Sequence, residues 1–303
     1  MQRRQFIKNS LIATGAFSIP WFHQNALTNC IVADQSITAG FKKSIMWGTV
    51  GLKGSVLEIC KEIKKAGFQG IEPNSHMNRK EVIDAVKSTG LGISDVCCST
   101  HWNKPLSHPD AAIRQEGIEG AIVALEDAHA YGSDAILLVP GVVNNLIAYD
   151  DCWNRSIESI NKLIPIAEKL KVQICVENVW NNFLLSPVEA SHYVDQFNSP
   201  FVKFYLDCGN LLVYGWPEQW IKILNQRIGR IHIKEFSRKI AEQKGKGAGF
   251  DVLLTEGDVD WVKVMEAIRI HYKNVWLTTE QGSNKTFEEI KDLSIRFDKA
   301  ISM

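Results

Sequence analysis

The sequence has no excess of either charge. Its 34 lysine and arginine residues are balanced by 34 aspartate and glutamate residues, so the formal net charge is +0. A protein that binds nucleic acid through phosphate contacts needs a basic surface, and this balance offers none. With 45% hydrophobic and 22% charged residues the composition is that of a globular protein. We therefore expect no nucleic-acid partner.

Three sequence patterns are also absent. After the first thirty residues, no apolar run is long enough to span a bilayer, so we expect no membrane span. No CxxC pair occurs among the seven cysteines, which fall in apolar patterns and are expected to be small buried hydrophobes. No GxGxxG follows the first predicted strand, which argues against a dinucleotide-binding fold.

The amino terminus has the pattern of an export signal. The run QRRQFIK at 2–8 is a twin-arginine pattern, and a modest apolar stretch follows at 11–22. We therefore expect a periplasmic protein with a signal and linker at 1–38 and one catalytic domain at 39–303. Residues 27–30 faintly resemble a lipoprotein box, although Asn29 is a poor residue before Cys30, so a lipid anchor stays open.

From residue 43 onward, predicted strands alternate with predicted helices. The strands are expected at 44–49, 70–72, 92–99, 135–139, 171–180, 202–206, 230–234 and 275–279. The helices are expected at 56–66, 79–89, 110–131, 153–170, 187–197, 217–226, 260–271 and 286–301. Several strands are apolar on both faces, as in a parallel sheet covered by helices. Eight such units predict an α/β fold of the closed (β/α)₈ TIM-barrel type.

A glycine-rich insertion at 244–249 interrupts this alternation after the seventh predicted strand. It lacks the GKS or GKT of a phosphate-binding loop and does not follow the first strand, so it does not predict a nucleotide site. We expect it to be a mobile flap beside the mouth of the barrel.

Four consecutive predicted strands each deliver one candidate ligand at or near their carboxyl ends: Glu177, Asp207, His232 and Glu280. In a TIM barrel all the carboxyl ends open on the face where the active site forms. Three carboxylates and one imidazole suit a divalent ion such as Mn²⁺, Mg²⁺, Co²⁺ or Zn²⁺. Each residue taken singly has an ordinary alternative as a helix cap or a salt-bridge partner. Their recurrence in four successive units predicts a metal site.

Five further residues are candidates for substrate contacts: His101, Lys234, Arg238, Trp180 and Glu72. Lys234 and Arg238 could hold substrate oxygens, and the face of Trp180 could pack against a sugar ring. Each also has a structural alternative. His101 could cap the following helix, Lys234 and Arg238 could be solvated at a strand end and a loop, and Trp180 could belong to the core.

The motifs around these residues resemble those of the xylose isomerase-like TIM-barrel superfamily, which includes ketose 3-epimerases, hydroxypyruvate isomerase and inosose dehydratase. They are GFQGIEPN at Glu72, VPG at 139–141, VEN at Glu177, LDCGN at Asp207, HIKEF at His232 and TEQ at Glu280. The resemblance runs from about residue 44 to the carboxyl end. It implies that the four ligands hold a catalytic divalent metal. It also implies that Glu177 and Glu280 act as an acid/base pair on opposite faces of the substrate.

Two positions depart from the ketose epimerases that the chain resembles. Those enzymes have a histidine three residues after the metal aspartate, where this sequence has Asn210. They also have a second glutamate six residues after the first, where this sequence has Phe183. Their arginine six residues beyond the metal histidine is matched by Arg238. We therefore expect the metal site to carry over and the substrate contacts to differ.

The sequence thus predicts a metal-dependent isomerase or epimerase that transfers a proton through a metal-stabilised enediolate. Export favours an unphosphorylated sugar or keto-sugar as the substrate, because phosphorylated sugars are largely cytoplasmic. Two alternatives stay open: a dehydratase or lyase reaction on a keto-sugar at the same site, and a non-catalytic, metal-dependent carbohydrate-binding protein. A homodimer is the default expectation for the assembly.

Overall fold

The computed structural model describes residues 40–282 and 284–303. The predicted export signal, with its twin-arginine run and Cys30, lies outside these residues. Among the helices of the described part of the chain, none is long and apolar enough to cross a membrane.

In these residues, nine parallel strands form one sheet. They are β1 (Lys42–Met46), β2 (Gly70–Glu72), β3 (Gly92–Ile93), β4 (Val96–Cys97), β5 (Ala135–Leu138), β6 (Gln173–Glu177), β7 (Val202–Asp207), β8 (Ile228–Ile233) and β9 (Trp276–Thr279). Their order is β3-β2-β1-β9-β8-β7-β6-β5-β4. Because the chain passes almost directly from β3 into β4, these two are halves of one barrel strand. The sheet is therefore a nearly closed (β/α)₈ barrel, which confirms the predicted fold.

Ten α-helices connect and cover the strands in the described residues. They are α1 (Val56–Lys65), α2 (Arg79–Thr89), α3 (Ala111–Tyr131), α4 (Tyr149–Leu170), α5 (Pro187–Asp195), α6 (Cys208–Leu211), α7 (Pro217–Leu224), α8 (Arg238–Lys244), α9 (Trp261–His271) and α10 (Phe287–Ser302). Both α1 and α10 begin with a capping box, Ser55 with Glu58 and Thr286 with Glu289, which satisfies amide groups of the first turn. The local sequence thus specifies where these helices begin.

The third predicted strand, 92–99, is not continuous. Arg230 on β8 crosses the barrel interior and donates from Nε and Nη2 to the carbonyl oxygen of Ser94, at 3.1 and 3.0 Å. Ser133 Oγ donates to the same oxygen at 3.1 Å. Because side chains occupy this carbonyl group, the backbone ladder is interrupted between β3 and β4. The prediction of one unbroken strand was wrong for this reason.

Two short helices, α6 and α8, are not predicted by the sequence pattern. The glycine-rich insertion forms the end of α8 and a 3₁₀ turn, Lys246–Phe250, and its predicted role as a mobile flap stays a prediction. The carbonyl oxygen of Gly249 accepts a hydrogen bond from the Ser237 amide at 2.7 Å. A Cβ atom at Gly249 would lie 2.3 Å from the ring of Phe236, so the close approach requires glycine.

The barrel interior has an apolar side and a polar side. Small and apolar residues fill the side formed by β4 to β7: Cys97, Ala135, Leu137, Val139, Cys175 and Tyr205. On the other side the hydroxyl groups of Ser44, Thr278 and Ser94 contact one another at 2.6 and 3.2 Å. The six cysteines of the described residues are buried and free, as the sequence predicts. The polar side positions charged groups beneath the mouth.

Candidate metal and catalytic site

The four predicted ligands lie at the carboxyl ends of four adjacent strands, β6, β7, β8 and β9. In the strand register Asp207 lies opposite His232, and Glu280 follows β9 directly. One ligand atom from each of the four residues lies within 4.8 Å of the others. The structure therefore brings together the four residues that the strand-end pattern selects, Glu177 included.

The Nδ1 atom of His232 faces three carboxylates. It lies 3.6 Å from Glu177 Oε1, 3.6 Å from Asp207 Oδ2 and 3.1 Å from Glu280 Oε2. His232 and Asp207 are fully buried and Glu177 is nearly so, whereas the Glu280 side chain is 24% exposed. Glu280 is therefore the ligand that opens most toward the mouth.

The arrangement of these atoms fits a divalent cation. His232 Nδ1 and Asp207 Oδ2 are buried without a hydrogen-bond partner in the described residues. Asp207 Oδ1 accepts a hydrogen bond from the Asn210 amide at 2.7 Å, which directs Oδ2 toward the other ligands. Unpartnered buried acceptors are costly unless a cation satisfies them. Oxygen and imidazole donors are those that Mn²⁺, Co²⁺ and Zn²⁺ take in proteins.

Protonation of the two glutamates is biased in opposite directions. Burial raises the pKa of Glu177 to about 7. Burial also acts to raise the pKa of Glu280, but the nearby cation of Lys234, together with His232, holds that pKa below its usual range. A carboxyl that retains a proton and a carboxylate that is ionised are the two forms that an acid/base pair needs.

Lys234 lies beside the ligands, with its Nζ atom 3.1 Å from Glu280 Oε1 and 3.6 Å from Asp207 Oδ2. The ammonium group also donates to Asn210 Oδ1 at 3.3 Å. Burial lowers the pKa of Lys234, but the two carboxylates outweigh it and raise the pKa, so the ammonium group stays charged. A buried positive charge therefore lies next to the four residues of the predicted metal site.

His101 is buried in the loop after β4. Its Nδ1 atom accepts a hydrogen bond from the Val139 amide at 3.3 Å, so the neutral ring carries its proton on Nε2. Burial lowers the pKa of His101 to about 4, so the ring is uncharged near neutral pH. A neutral imidazole with its proton on Nε2 is a suitable hydrogen-bond donor for a sugar oxygen, and the predicted substrate contact stays a prediction.

The lowered pKa of His101 predicts a pH dependence of stability. The unfolded chain binds a proton on this histidine below about pH 6.5, whereas the folded chain does so only below about pH 4. Stability should therefore fall as the pH decreases through this window. Between pH 7.5 and pH 5, we expect the free energy of unfolding of His101→Asn to decrease by about 2 kcal/mol less than that of the wild type. Urea unfolding at both pH values measures this difference, and parallel losses in the two proteins would contradict it.

An aromatic wall made of Trp180, Phe236 and Phe250 lies beside the ligands. The rings of Trp180 and Phe250 stack with centroids 4.8 Å apart and planes 23° apart, and Phe236 meets Trp180 edge-on at 5.8 Å. Lys234 Nζ lies 4.3 Å from the Phe250 ring, which connects the wall to the ligand group. The sequence pattern gives no signal for Phe250, because the residue follows the glycine-rich insertion rather than a strand.

Gln281 connects the wall to two strand ends. Its Oε1 atom accepts a hydrogen bond from the Glu235 amide at 2.6 Å, just after β8. Its Nε2 atom donates to the carbonyl oxygens of Val252 at 2.7 Å and Phe250 at 3.3 Å. Because Gln281 is next to Glu280, this amide holds the wall in place against the catalytic strand ends.

Two of the predicted substrate-binding residues have partners within the protein. Glu72 is fully buried behind His232, and its Oε2 atom accepts hydrogen bonds from His232 Nε2 at 2.8 Å and Tyr205 Oη at 3.2 Å. The guanidinium group of Arg238 donates to the carbonyl oxygens of Leu212 and Gly215, both at 3.0 Å. In this structure Glu72 therefore holds His232 and Arg238 holds a loop, and the substrate contacts predicted for these two residues stay predictions.

Tyr205 is a site residue that the sequence reasoning missed. Its ring lies 4.4 Å from that of His232, and it precedes the ligand Asp207 by two residues on β7. Because alternate residues of a strand face the same side, this spacing was a signal that Tyr205 points into the barrel beneath the ligands.

The two departures from the ketose-epimerase pattern are both buried. Phe183 packs against Tyr149, Trp153 and Tyr193, with ring centroids 5.1 to 5.9 Å apart. This position therefore belongs to the helix layer and presents no carboxylate to the mouth. Asn210 is 2% exposed, and its Oδ1 atom accepts a hydrogen bond from Lys234 Nζ. The ketose epimerases have a histidine at this position, so the polar group beside the lysine differs from theirs.

Comparisons with known proteins agree with this fold. A family model described as xylose isomerase-like TIM barrel matches residues 60–296. An L-ribulose-5-phosphate 3-epimerase from Escherichia coli O1:K1 is 26% identical over 198 residues, 64% of this chain and 66% of that protein. The match thus spans slightly less than two thirds of this relative's length.

Solved structures share the fold at lower identity. The 3-keto-D-glucoside 4-epimerase from E. coli superimposes with a TM-score of 0.74 at 15% identity, covering 87% of this chain and 100% of that one. The IOLI protein, solved with a bound zinc atom, superimposes with a TM-score of 0.72 at 17% identity, covering 86% and 98%. At these identities the likeness establishes the fold.

Proposed function

This chain belongs to the xylose isomerase-like TIM-barrel family, and on this basis we propose that it is a divalent-metal-dependent isomerase or epimerase of a keto-sugar. The observation that carries the proposal is the convergence of Glu177, Asp207, His232 and Glu280 within 4.8 Å at the barrel mouth. Two of these ligands are glutamates, the residue type that can also move a proton. The L-ribulose-5-phosphate 3-epimerase relative supports the same class of reaction.

Glu177 and Glu280 are the proposed acid/base pair. A divalent cation held by the four residues would polarise the substrate carbonyl and stabilise negative charge on the neighbouring oxygens. The ionised Glu280, kept so by Lys234, removes the proton from the carbon next to the carbonyl. Glu177 returns a proton to the opposite face. When the opposite epimer is the substrate, the two glutamates exchange these roles.

The remaining wall residues orient the sugar. Lys234 carries a buried positive charge beside Glu280 and would hold a substrate oxygen there. The Nε2–H of His101 would donate to a second oxygen, and the Trp180–Phe250 pair would cover the C–H face of the ring. With a histidine and a glutamate of the ketose epimerases replaced by Asn210 and Phe183, the preferred sugar would differ from theirs.

We propose an unphosphorylated substrate, because the twin-arginine pattern at 2–8 predicts export to the periplasm. The named substrate of the curated relative is phosphorylated, so the two classes must be compared directly. Fractionation of cells that express the full chain tests the predicted export. We expect the protein in the periplasmic fraction. Recovery in the cytoplasm alone would remove the argument for an unphosphorylated substrate.

The function is tested with leaderless protein stripped by a chelator and assayed on matched panels of free and phosphorylated ketoses and 3-keto-sugars. We expect epimerised or isomerised product only after Mn²⁺, Co²⁺ or Zn²⁺ is restored. Formation of an unsaturated product instead would assign the site to a dehydratase. Ligand binding without any product across both panels would assign the chain to the carbohydrate-binding proteins and contradict the proposal.

A further inference from the structure

Glu72 makes a direct hydrogen bond to the imidazole of the ligand His232. Its Oε2 atom lies 2.8 Å from His232 Nε2, and both side chains are fully buried. The contact crosses the barrel interior, because β2, which ends at Glu72, is separated from β8 by β1 and β9. A pairing across two intervening strands depends on closure of the barrel and on the inward direction of both side chains.

This hydrogen bond determines which imidazole nitrogen is free to coordinate. When Glu72 is ionised it only accepts hydrogen bonds, so the bonded Nε2 then carries a proton. The lone pair of the neutral ring is then on Nδ1, which faces Glu177, Asp207 and Glu280 at 3.1 to 3.6 Å. With the proton on Nδ1 instead, the ring would present N–H to the cation and could not bind it.

We propose that Glu72 is a positioning residue that fixes the tautomer and orientation of His232 and thereby sets the affinity for the divalent ion. The inference rests on the proposed metal dependence of the function and assigns Glu72 no contact with substrate. Outer carboxylates of this kind typically contribute ten- to a hundredfold to metal affinity.

Tyr205 supports the same arrangement from β7. Its hydroxyl group donates to Glu72 Oε2 at 3.2 Å, and its ring packs on the His232 ring at 4.4 Å. The carboxylate oxygen that contacts the histidine is therefore held by a second donor, while the ring itself is confined from the side. Tyr205 thus restricts both members of the pair.

Asp95 offers a matched control for the replacement of a buried carboxyl group. It is fully buried on the polar side of the interior, like Glu72, and its two carboxylate oxygens have no hydrogen-bond partner in the described residues. If Glu72 acted only as a buried carboxyl group, replacement of the Asp95 carboxyl by an amide would have a similar effect. If Glu72 acts by positioning His232, Asp95→Asn should leave metal affinity nearly unchanged.

The experiment compares wild type, Glu72→Gln, Tyr205→Phe and Asp95→Asn by calorimetric titration of the metal-free proteins with Mn²⁺. We expect affinity to fall at least tenfold in Glu72→Gln, by a smaller factor in Tyr205→Phe and by less than about threefold in Asp95→Asn. Circular dichroism and thermal unfolding of the metal-free proteins establish that each variant is folded. Long-range ¹H–¹⁵N spectra of the Zn²⁺ forms report the His232 tautomer, with Nε2–H expected in the wild type.

Each result decides the inference. Wild-type affinity in Glu72→Gln, or equal losses in Glu72→Gln and Asp95→Asn, would overturn it while leaving the metal-dependent function intact. A Zn²⁺-bound wild type whose proton is on Nδ1 would overturn it in the same way. Absence of any ion from the folded wild type would overturn the inference and the proposed function together, so the two failures are distinguishable.

Discussion

Replacement of Glu280 by glutamine is expected to reduce turnover about 10³-fold, within the range that acid/base groups contribute. The amide keeps an oxygen for the cation but cannot accept the proton from the substrate carbon. Glu177→Gln should produce a loss of similar size, because the amide cannot return a proton to the opposite face. Steady-state assays at saturating metal, beside the metal content of each variant, measure the effect.

Glu266→Gln is the control for this substitution, because Glu266 is exposed on the outer helix α9. It should retain wild-type turnover. We further expect Glu280→Gln to bind the ion at saturating concentration, so that the loss of turnover reflects proton transfer and not an empty metal site. Substantial turnover in a metal-loaded Glu280→Gln variant would show that another group moves the proton.

The double substitution Asp207→Asn and His232→Ala is expected to abolish binding of the divalent ion. It removes the charge from the most deeply buried carboxylate ligand and the only imidazole among the four ligands. Binding to the folded state alone stabilises a protein, by about 2.7 kcal/mol at a free-ion concentration of 100 Kd. The wild type should therefore unfold at a higher temperature when Mn²⁺ is added, and the double variant should not respond.

The control for this experiment is the metal-free wild type, which has the same ligands without the ion. Because the substitution also removes the buried partner of Glu72 and a carboxylate partner of Lys234, the double variant should be less stable than this control, and the quantity compared is the response of each protein to added Mn²⁺. Elemental analysis of both dialysed proteins gives the stoichiometry directly. Retention of one ion per chain in the double variant would place the metal elsewhere and contradict the assignment.

The strand-end rule predicted which four residues meet at the mouth because parallel strands in a barrel share one direction. Glu177, Asp207 and His232 each fall at or near the carboxyl end of an apolar run, and Glu280 follows one. Strand order in a (β/α)₈ barrel follows chain order, so neighbours in sequence become neighbours in space. Neither inference requires knowledge of side-chain conformation.

The roles of Glu72 and Arg238 could not be predicted in the same way. Glu72 also ends a strand, and only the closed barrel shows that His232 lies between it and the mouth. Arg238 matches an offset seen in related enzymes, but its guanidinium group is used by the carbonyl groups of Leu212 and Gly215. Such contacts depend on loop conformations, which the local sequence does not determine. The break beside Ser94 likewise depends on Arg230 from a distant strand.

The most direct test of the proton-transfer account is solvent exchange at the substrate carbon next to the carbonyl. Metal-loaded wild-type protein is incubated with its keto-sugar in D₂O, and deuterium incorporation is followed by ¹H NMR before equilibrium is reached. The account predicts incorporation at that carbon, dependent on the restored ion and lost in Glu280→Gln. Conversion of the sugar without any deuterium at that carbon, or binding of the ion and sugar without exchange, would contradict it.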